Sequence, residues 1–255
     1  MSDLNQPGID VHAPETRGLG WAVLAFTGLA MAVFVIVVTL FARTGGDFVG
    51  TLDEGLGEVL MRRGMRFEAA GELENAKEAY HQAVERPFTG PQNRADTLKR
   101  LGVIYWAEGR LDAAYPYLRK AADFNPPPIS VFEPLCDCLL GLHRHSEART
   151  MLDRWLTLAR ATENTLEIAR AKYCEGRLAR VEGDTEAALR AFLEGAALVP
   201  GGRNASELGM LYFEMGEYEK ALEQVDYYLE SGTGDRAEYM RRLRGHLLKL
   251  LGKGS

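Results

Sequence analysis

The chain has 255 residues, 46% of them hydrophobic and 26% charged, with a formal charge of −6. That length allows one large or two small domains, and the acidic balance argues against nucleic-acid binding as the main task, which needs a basic face. Cys136, Cys138 and Cys174 are an odd number of cysteines without regular spacing, so no disulfide framework is expected.

Residues 1–17 form a short tail that carries Asp3, Asp10 and Glu15. Residues 18–42, GLGWAVLAFTGLAMAVFVIVVTLFA, contain no charge. As a helix they extend about 37 Å, more than the roughly 30 Å hydrocarbon core of a bilayer. Trp21 lies near one end, where an amphipathic ring suits the membrane interface. A retained transmembrane helix is therefore expected. The rival is a cleaved signal peptide, whose apolar region is about 7–15 residues long and follows a basic segment. Here the run is longer, the tail before it is acidic, and Leu40 sits badly for a cut after Ala42. Arg17 and Arg43 flank the run one on each side, so the positive-inside count is tied and the side of the membrane stays open. Residues 43–52 are rich in glycine and read as a linker.

From about Asp53 a pattern repeats. Gly64, Phe67, Gly71, Ala76, Tyr80 and Ala83 return in the same relative positions as Gly102, Tyr105, Gly109, Ala114, Leu118 and Ala121. Pro87 and Pro91 are expected to end the second helix of the first unit. A weaker third copy has Cys136, Leu139, His143, Ala148, Leu152 and Trp155, and Ser130 with Glu133 is spaced as a capping box at its start. A fourth has Gly176, Gly183, Ala188, Phe192 and Pro200, and a fifth Leu208, Gly209, Tyr212, Gly216 and Ala221. One amphipathic helix follows at about 236–252, with Tyr239, Leu243, Leu247, Leu248 and Leu251 on its apolar side and Arg241, Arg242, Arg244 and Lys249 on the other.

Small residues where two helices must approach, large residues between them and a glycine at the break resemble the tetratricopeptide repeat, a helix–turn–helix unit of about 34 residues. The resemblance implies an all-α fold. An N-terminal transmembrane helix at 18–42 is followed at 53–252 by a right-handed α-solenoid of about five helix pairs with a C-terminal capping helix, and 253–255 is a tail. Such a unit cannot bury its apolar face alone, and the stack it forms is a surface for binding other proteins.

Cys136, Cys138, His143 and His145 are of types that bind zinc. On one helix, however, residues two apart point about 200° away from each other, and residues seven apart are about 10 Å apart along the axis. The repeat register places Cys136 and Cys138 where small buried side chains pack, and a free cysteine packs as one. No phosphate loop, zinc-protease motif or nucleophile elbow is present in the sequence. Neither enzyme activity nor a cofactor nor a small-molecule substrate is expected. Asn204-Ala205-Ser206 matches a glycosylation acceptor.

In the tetratricopeptide family the first helix of each pair lines the concave groove. Carried over, the register gives Met61, Arg62, Met65 and Glu68, then Lys99, Arg100, Val103 and Trp106. It continues with Glu133, Asp137 and Leu140, then Tyr173, Arg177 and Arg180, then Met210, Phe213 and Glu214. Aromatic and arginine side chains dominate binding hot spots, which singles out Trp106, Tyr173 and Phe213. The family's clamp for chaperone tails is not expected, because Val103 stands where its asparagine belongs. The cations Lys99, Arg100, Arg177 and Arg180 favour an acidic peptide. Together these readings imply a single-pass protein of the bacterial inner membrane. It binds other proteins through the concave face and the bilayer through 18–42, as an envelope or membrane-complex assembly factor. The alternative is a permanent structural subunit of a larger membrane complex.

Overall fold

The computed structural model describes Ile36, Thr39 and residues 55–231 and 236–253. Ile36 and Thr39 are helical and exposed. The rest of the expected transmembrane segment, the tail before it and the linker at 43–52 lie outside the described residues. Among the described residues there is no strand, and no helix is long and apolar enough to cross a membrane.

Helices α1 (Leu56–Ala69) and α2 (Leu73–Val84) form the first pair, α3 (Pro91–Ala107) and α4 (Leu111–Ala122) the second. A 3-10 turn at Ile129–Val131 leads into α5 (Phe132–Gly141), which pairs with α6 (His145–Ala161). The fourth pair is α7 (Thr165–Glu182) and α8 (Thr185–Leu198), the fifth α9 (Arg203–Glu214) and α10 (Tyr218–Glu230), and α11 (Ala237–Leu250) closes the stack. Each helix packs on the next, and the first helices α1, α3, α5, α7 and α9 also touch one another in succession. Five helix pairs with a terminal helix agree with the solenoid expected from the sequence.

One small-to-large contact recurs in these layers. Gly64, Gly102, Gly176 and Gly209 face Tyr80, Leu118, Phe192 and Val225, each sixteen residues further on. Twelve residues beyond the same glycines, and beyond Cys136, lie Ala76, Ala114, Ala148, Ala188 and Ala221, all fully buried. The turn inside each pair closes identically. The amide of residue 72, 110, 144, 184 or 217 donates to the carbonyl five residues back, a Schellman bond that satisfies an otherwise orphaned helix end. The residue before that amide is left-handed each time: Gly71, Gly109, His143, Gly183 and Gly216.

Several boundaries differ from the sequence expectation. Pro91 does not end α2 but opens α3 at its first turn, where its missing N–H costs nothing. Ser130 and Glu133 form no capping box: Ser130 already lies inside the 3-10 turn, and α5 begins from Val131 without a side-chain cap. On α11 the buried stripe is Met240, Leu243 and Leu247, while Tyr239 is exposed. The third-to-fourth interval is the longest because α6 runs to 17 residues. In that layer Trp155 takes the slot that Ala83 and Ala121 fill in the first two. It stacks near Phe132, and its indole N–H donates to the buried Glu167 at 2.9 Å.

Candidate protein-binding groove

The first helices converge on an open cavity of about 380 Å³. Lys99, Arg100, Val103 and Trp106 of α3 line it together with Glu68 of α1 and with Ser130, Glu133 and Pro134 at the start of α5. Arg170 of α7 and Arg203 of α9 complete the wall. A second opening of about 340 Å³ lies beyond Arg170 and Arg203 and has Tyr173, Leu166 and Val199 among its walls.

Of the residues expected in a groove, the structure brings Lys99, Arg100 and Trp106 together with Glu68, Val103 and Glu133 in the first cavity. Tyr173 is 5% exposed, so it forms a floor rather than a projecting anchor. The guanidinium carbons of Arg177 and Arg203 stand 5.5 and 5.1 Å from its ring centroid, and burial raises its phenol above the ordinary range. Met210 and Phe213 are half-buried against the core, and Phe213 meets the rings of Tyr218 and His246. Met61 packs against the first-pair core and Met65 is exposed; neither lines the central cavity.

The expected basic cluster is compensated from within. Lys99 pairs with Asp96 at 3.0 Å, Arg100 with Glu68 at 2.9 Å, and Arg177 with Asp137. Arg180 bridges Glu207 and Glu214, each at 2.9 Å, and Glu207 also holds Arg236 at 2.6 Å. Burial works against the charge of Arg177, and the adjacent Asp137 carboxylate outweighs it and raises its pKa. These four cations are therefore not a free acidic-peptide site as the sequence suggested. The register carries no information about which carboxylate the stacking brings opposite each of them.

Sequence reasoning missed Arg170 and Arg203 as groove residues. With Ser130, they lie six residues before Gly176, Gly209 and Cys136. Extending the register one helical turn towards the start of each first helix reaches all three. Arg203 pairs with Glu133, two repeats away, and Arg170 lies 3.8 Å from the other oxygen of the same carboxylate. Arg170 is also held by Glu167 at 2.9 Å.

Cys136, Cys138 and Cys174 are buried free thiols. Burial, then the neighbouring Asp137, pushes Cys138 up to about 12 and raises Cys136 as well. They pack as small apolar groups, and among the described residues no group of three metal-binding side chains assembles. Asn204 is 4% exposed and donates to the Ala169 carbonyl at 3.0 Å, so its amide is no accessible acceptor for a glycan.

A stack of helix pairs with a groove along its first helices defines a repeat-type interaction module. Residues 61–127 match the tetratricopeptide repeat family. Among curated proteins, none matches the sequence. Solved structures share the fold. PilF of Pseudomonas aeruginosa is 20% identical over 78% of this chain and 85% of its own, with a TM-score of 0.61. PilW, described as a widely conserved type IV pilus biogenesis factor, is 18% identical over 77% of this chain and 86% of its own, also at 0.61. A tetratricopeptide repeat protein of Parabacteroides merdae is 22% identical over 77% and 74%, at 0.56.

Proposed function

We propose that this protein is a membrane-tethered scaffold that holds a protein partner in the concave groove and serves the assembly of an envelope or membrane complex. The observation that carries the binding role is the cavity of about 380 Å³ built by all five first helices. No single repeat makes such a site, and Val103, Trp106 and Pro134 give it an apolar floor among paired charges. The fold shared with PilW, a pilus biogenesis factor by its description, supports an assembly role. The tether is the charge-free segment 18–42, whose length fits a bilayer. Tethering raises the effective concentration of a membrane partner without a new contact.

Two measurements test this reading. Crosslinking and pull-down from membranes is expected to lose partners when Trp106→Ala is combined with Phe213→Ala; retention of every partner removes the groove from the proposal. Alkaline extraction is expected to leave the full chain in the membrane fraction, and its release removes the tether. An engineered cysteine at the exposed Gly252, probed with an impermeant thiol reagent in intact and lysed cells, assigns the side on which the repeats lie.

A further inference from the structure

Between the second helices α8 and α10 lies an open cavity of about 320 Å³ with no charged residue in its walls. Leu208 of α9 forms its floor, and Leu193, Ala197, Pro200, Gln224 and Tyr227 stand around it. The cleft of about 440 Å³ on the second helix of the first pair has Glu74, Lys77, Glu78, Glu85 and Arg110 in its walls instead. Leu193 and Tyr227 are 43% and 48% exposed, and exposed apolar patches of this kind mark interaction sites. Beside Tyr227, along one stripe of α10, lie Glu219, Glu223 and Glu230. All three are exposed and have no ion-pair partner among the described residues. On α8, Glu194 is matched by Lys172 at 2.7 Å and Arg190 lies 3.8 Å from Glu186, so the rim is acidic through α10.

The last helix has the opposite character. Along α11 four Lys and Arg stand against Glu238, whereas along α10 four carboxylates stand against Lys220. Within the chain the two helices match one such pair, Arg244 with Asp226 at 2.6 Å. The outer face of α11 presents Tyr239 and Leu250, 54% and 47% exposed, with Arg242 one turn after the first and Lys249 next to the second. Arg242 is held by Glu238 alone, with both side chains about three-quarters exposed, and such a surface pair is weak. Arg242 and Lys249 are seven residues apart, and so are Glu223 and Glu230, which places each pair about 10 Å apart along its helix.

The geometry points to self-association: the cavity between α8 and α10 receives α11 of a second copy of this chain. Tyr239 and Leu250 of one copy cover Leu193, Pro200 and Tyr227 of the other, while Arg242 and Lys249 meet Glu223 and Glu230. The cavity does not meet its own twin, because the acidic stripe of α10 would then face an identical stripe, and like charges across an interface are costly. Cavity and helix are different surfaces of one chain, so the contact is heterologous and adds copies head to tail. It uses neither the first-helix groove nor its ligand, and so it goes beyond the function proposed above.

The test measures the mass of the full chain in detergent micelles by sedimentation equilibrium over a range of protein concentrations. Wild type is expected to grow past two copies as the concentration rises and to shrink in high salt, which screens exposed charges. Leu193→Glu spoils the cavity and leaves α11 intact; Lys249→Glu with Leu250→Glu spoils α11 and leaves the cavity intact. All three positions are exposed, so the circular dichroism of both variants is expected to match wild type. Each variant alone is expected to stay monomeric. An equal mixture of the two is expected to form pairs and nothing larger, because one sound cavity then meets one sound helix; misfolded chains cannot produce that rescue. Wild type that stays monomeric overturns the proposal. Assembly that persists in both variants overturns it too, since the contact then lies elsewhere in the chain. Variants that stay apart when mixed, while wild type assembles, overturn the pairing of this cavity with α11.

Discussion

Gly102 and Leu118 meet so closely that a Cβ built on Gly102 would lie 2.6 Å from the Leu118 Cγ and 3.1 Å from its backbone nitrogen. The branch carbon and the main chain cannot swing aside as a flexible chain end can. Gly102→Ala therefore overpacks the contact, at a cost of about 1–3 kcal/mol, against a gain of about 1 kcal/mol in helix propensity. Wild type is expected to be the more stable in urea. In a Leu118→Ala background the side-chain obstacle is gone and only the backbone contact at 3.1 Å remains, so the same substitution is expected to cost less than it does in wild type. A double-mutant cycle without that reduction would falsify the Leu118 side chain as the reason for the glycine.

Ala114 tests the register from the second helix of the same pair. It is fully buried, as are its counterparts in the other four pairs. Ala114→Leu adds three carbons where no space exists and is expected to cost about 1–3 kcal/mol. The denaturation midpoint checks it, and an unchanged midpoint means that α3 and α4 do not meet there.

His143 stands at φ 57 where the other four turns have glycine at φ between 73 and 81. A Cβ on any of those four glycines would meet nothing within 4 Å. They are therefore required by the backbone angle rather than by space. A left-handed residue with a side chain costs roughly 1–2 kcal/mol, part of which the greater freedom of glycine in the unfolded chain takes back. His143→Gly is expected to raise stability by about 0.5–1 kcal/mol, and Gly109→Ala to lower it by about 1 kcal/mol. Thermal melts of the two variants should move in opposite directions.

The repeats were legible because their signals are residue types at fixed offsets: glycine against Tyr80, Leu118, Phe192 or Val225, alanine twelve residues on, and a left-handed turn. His143 was readable only by register, since nothing local in its own repeat marks a turn. Helix starts were less legible. Ser130 and Glu133 have the spacing of a capping box, but the chain enters α5 through a 3-10 turn, and Glu133 is drawn instead to Arg203. Most of the groove residues could be placed one by one, and their charges could not. Arg177 with Asp137, and Arg203 with Glu133, join residues 40 and 70 positions apart. Which cation faces which carboxylate depends on how tightly successive pairs curve, and no local pattern encodes that.

Glu58 anchors the start of the solenoid through its charge. It is 6% exposed, and one carboxylate oxygen accepts from the Thr89 hydroxyl at 2.7 Å, the Thr89 amide at 2.8 Å and the Gly90 amide at 3.2 Å. It thereby ties α1 to the loop that leads into α3. Burial alone would raise its pKa; the hydrogen bonds from Thr89, the backbone and Asn93 outweigh burial and hold it down at about 2, from an ordinary 4.5. Because the folded value is the lower one, this contribution to stability is fully present above pH 4.5. It is lost as the pH falls from there towards 2. Glu58→Gln keeps the shape and removes the titration. The variant is expected to be less stable than wild type at pH 7, with the gap closing between about pH 4.5 and 2. Amide exchange in α1 checks that the loss is local, since among the described residues the first repeat has a neighbouring repeat on one side only. A gap that stays constant down to pH 2 means that the Glu58 charge does not hold the first repeat in place.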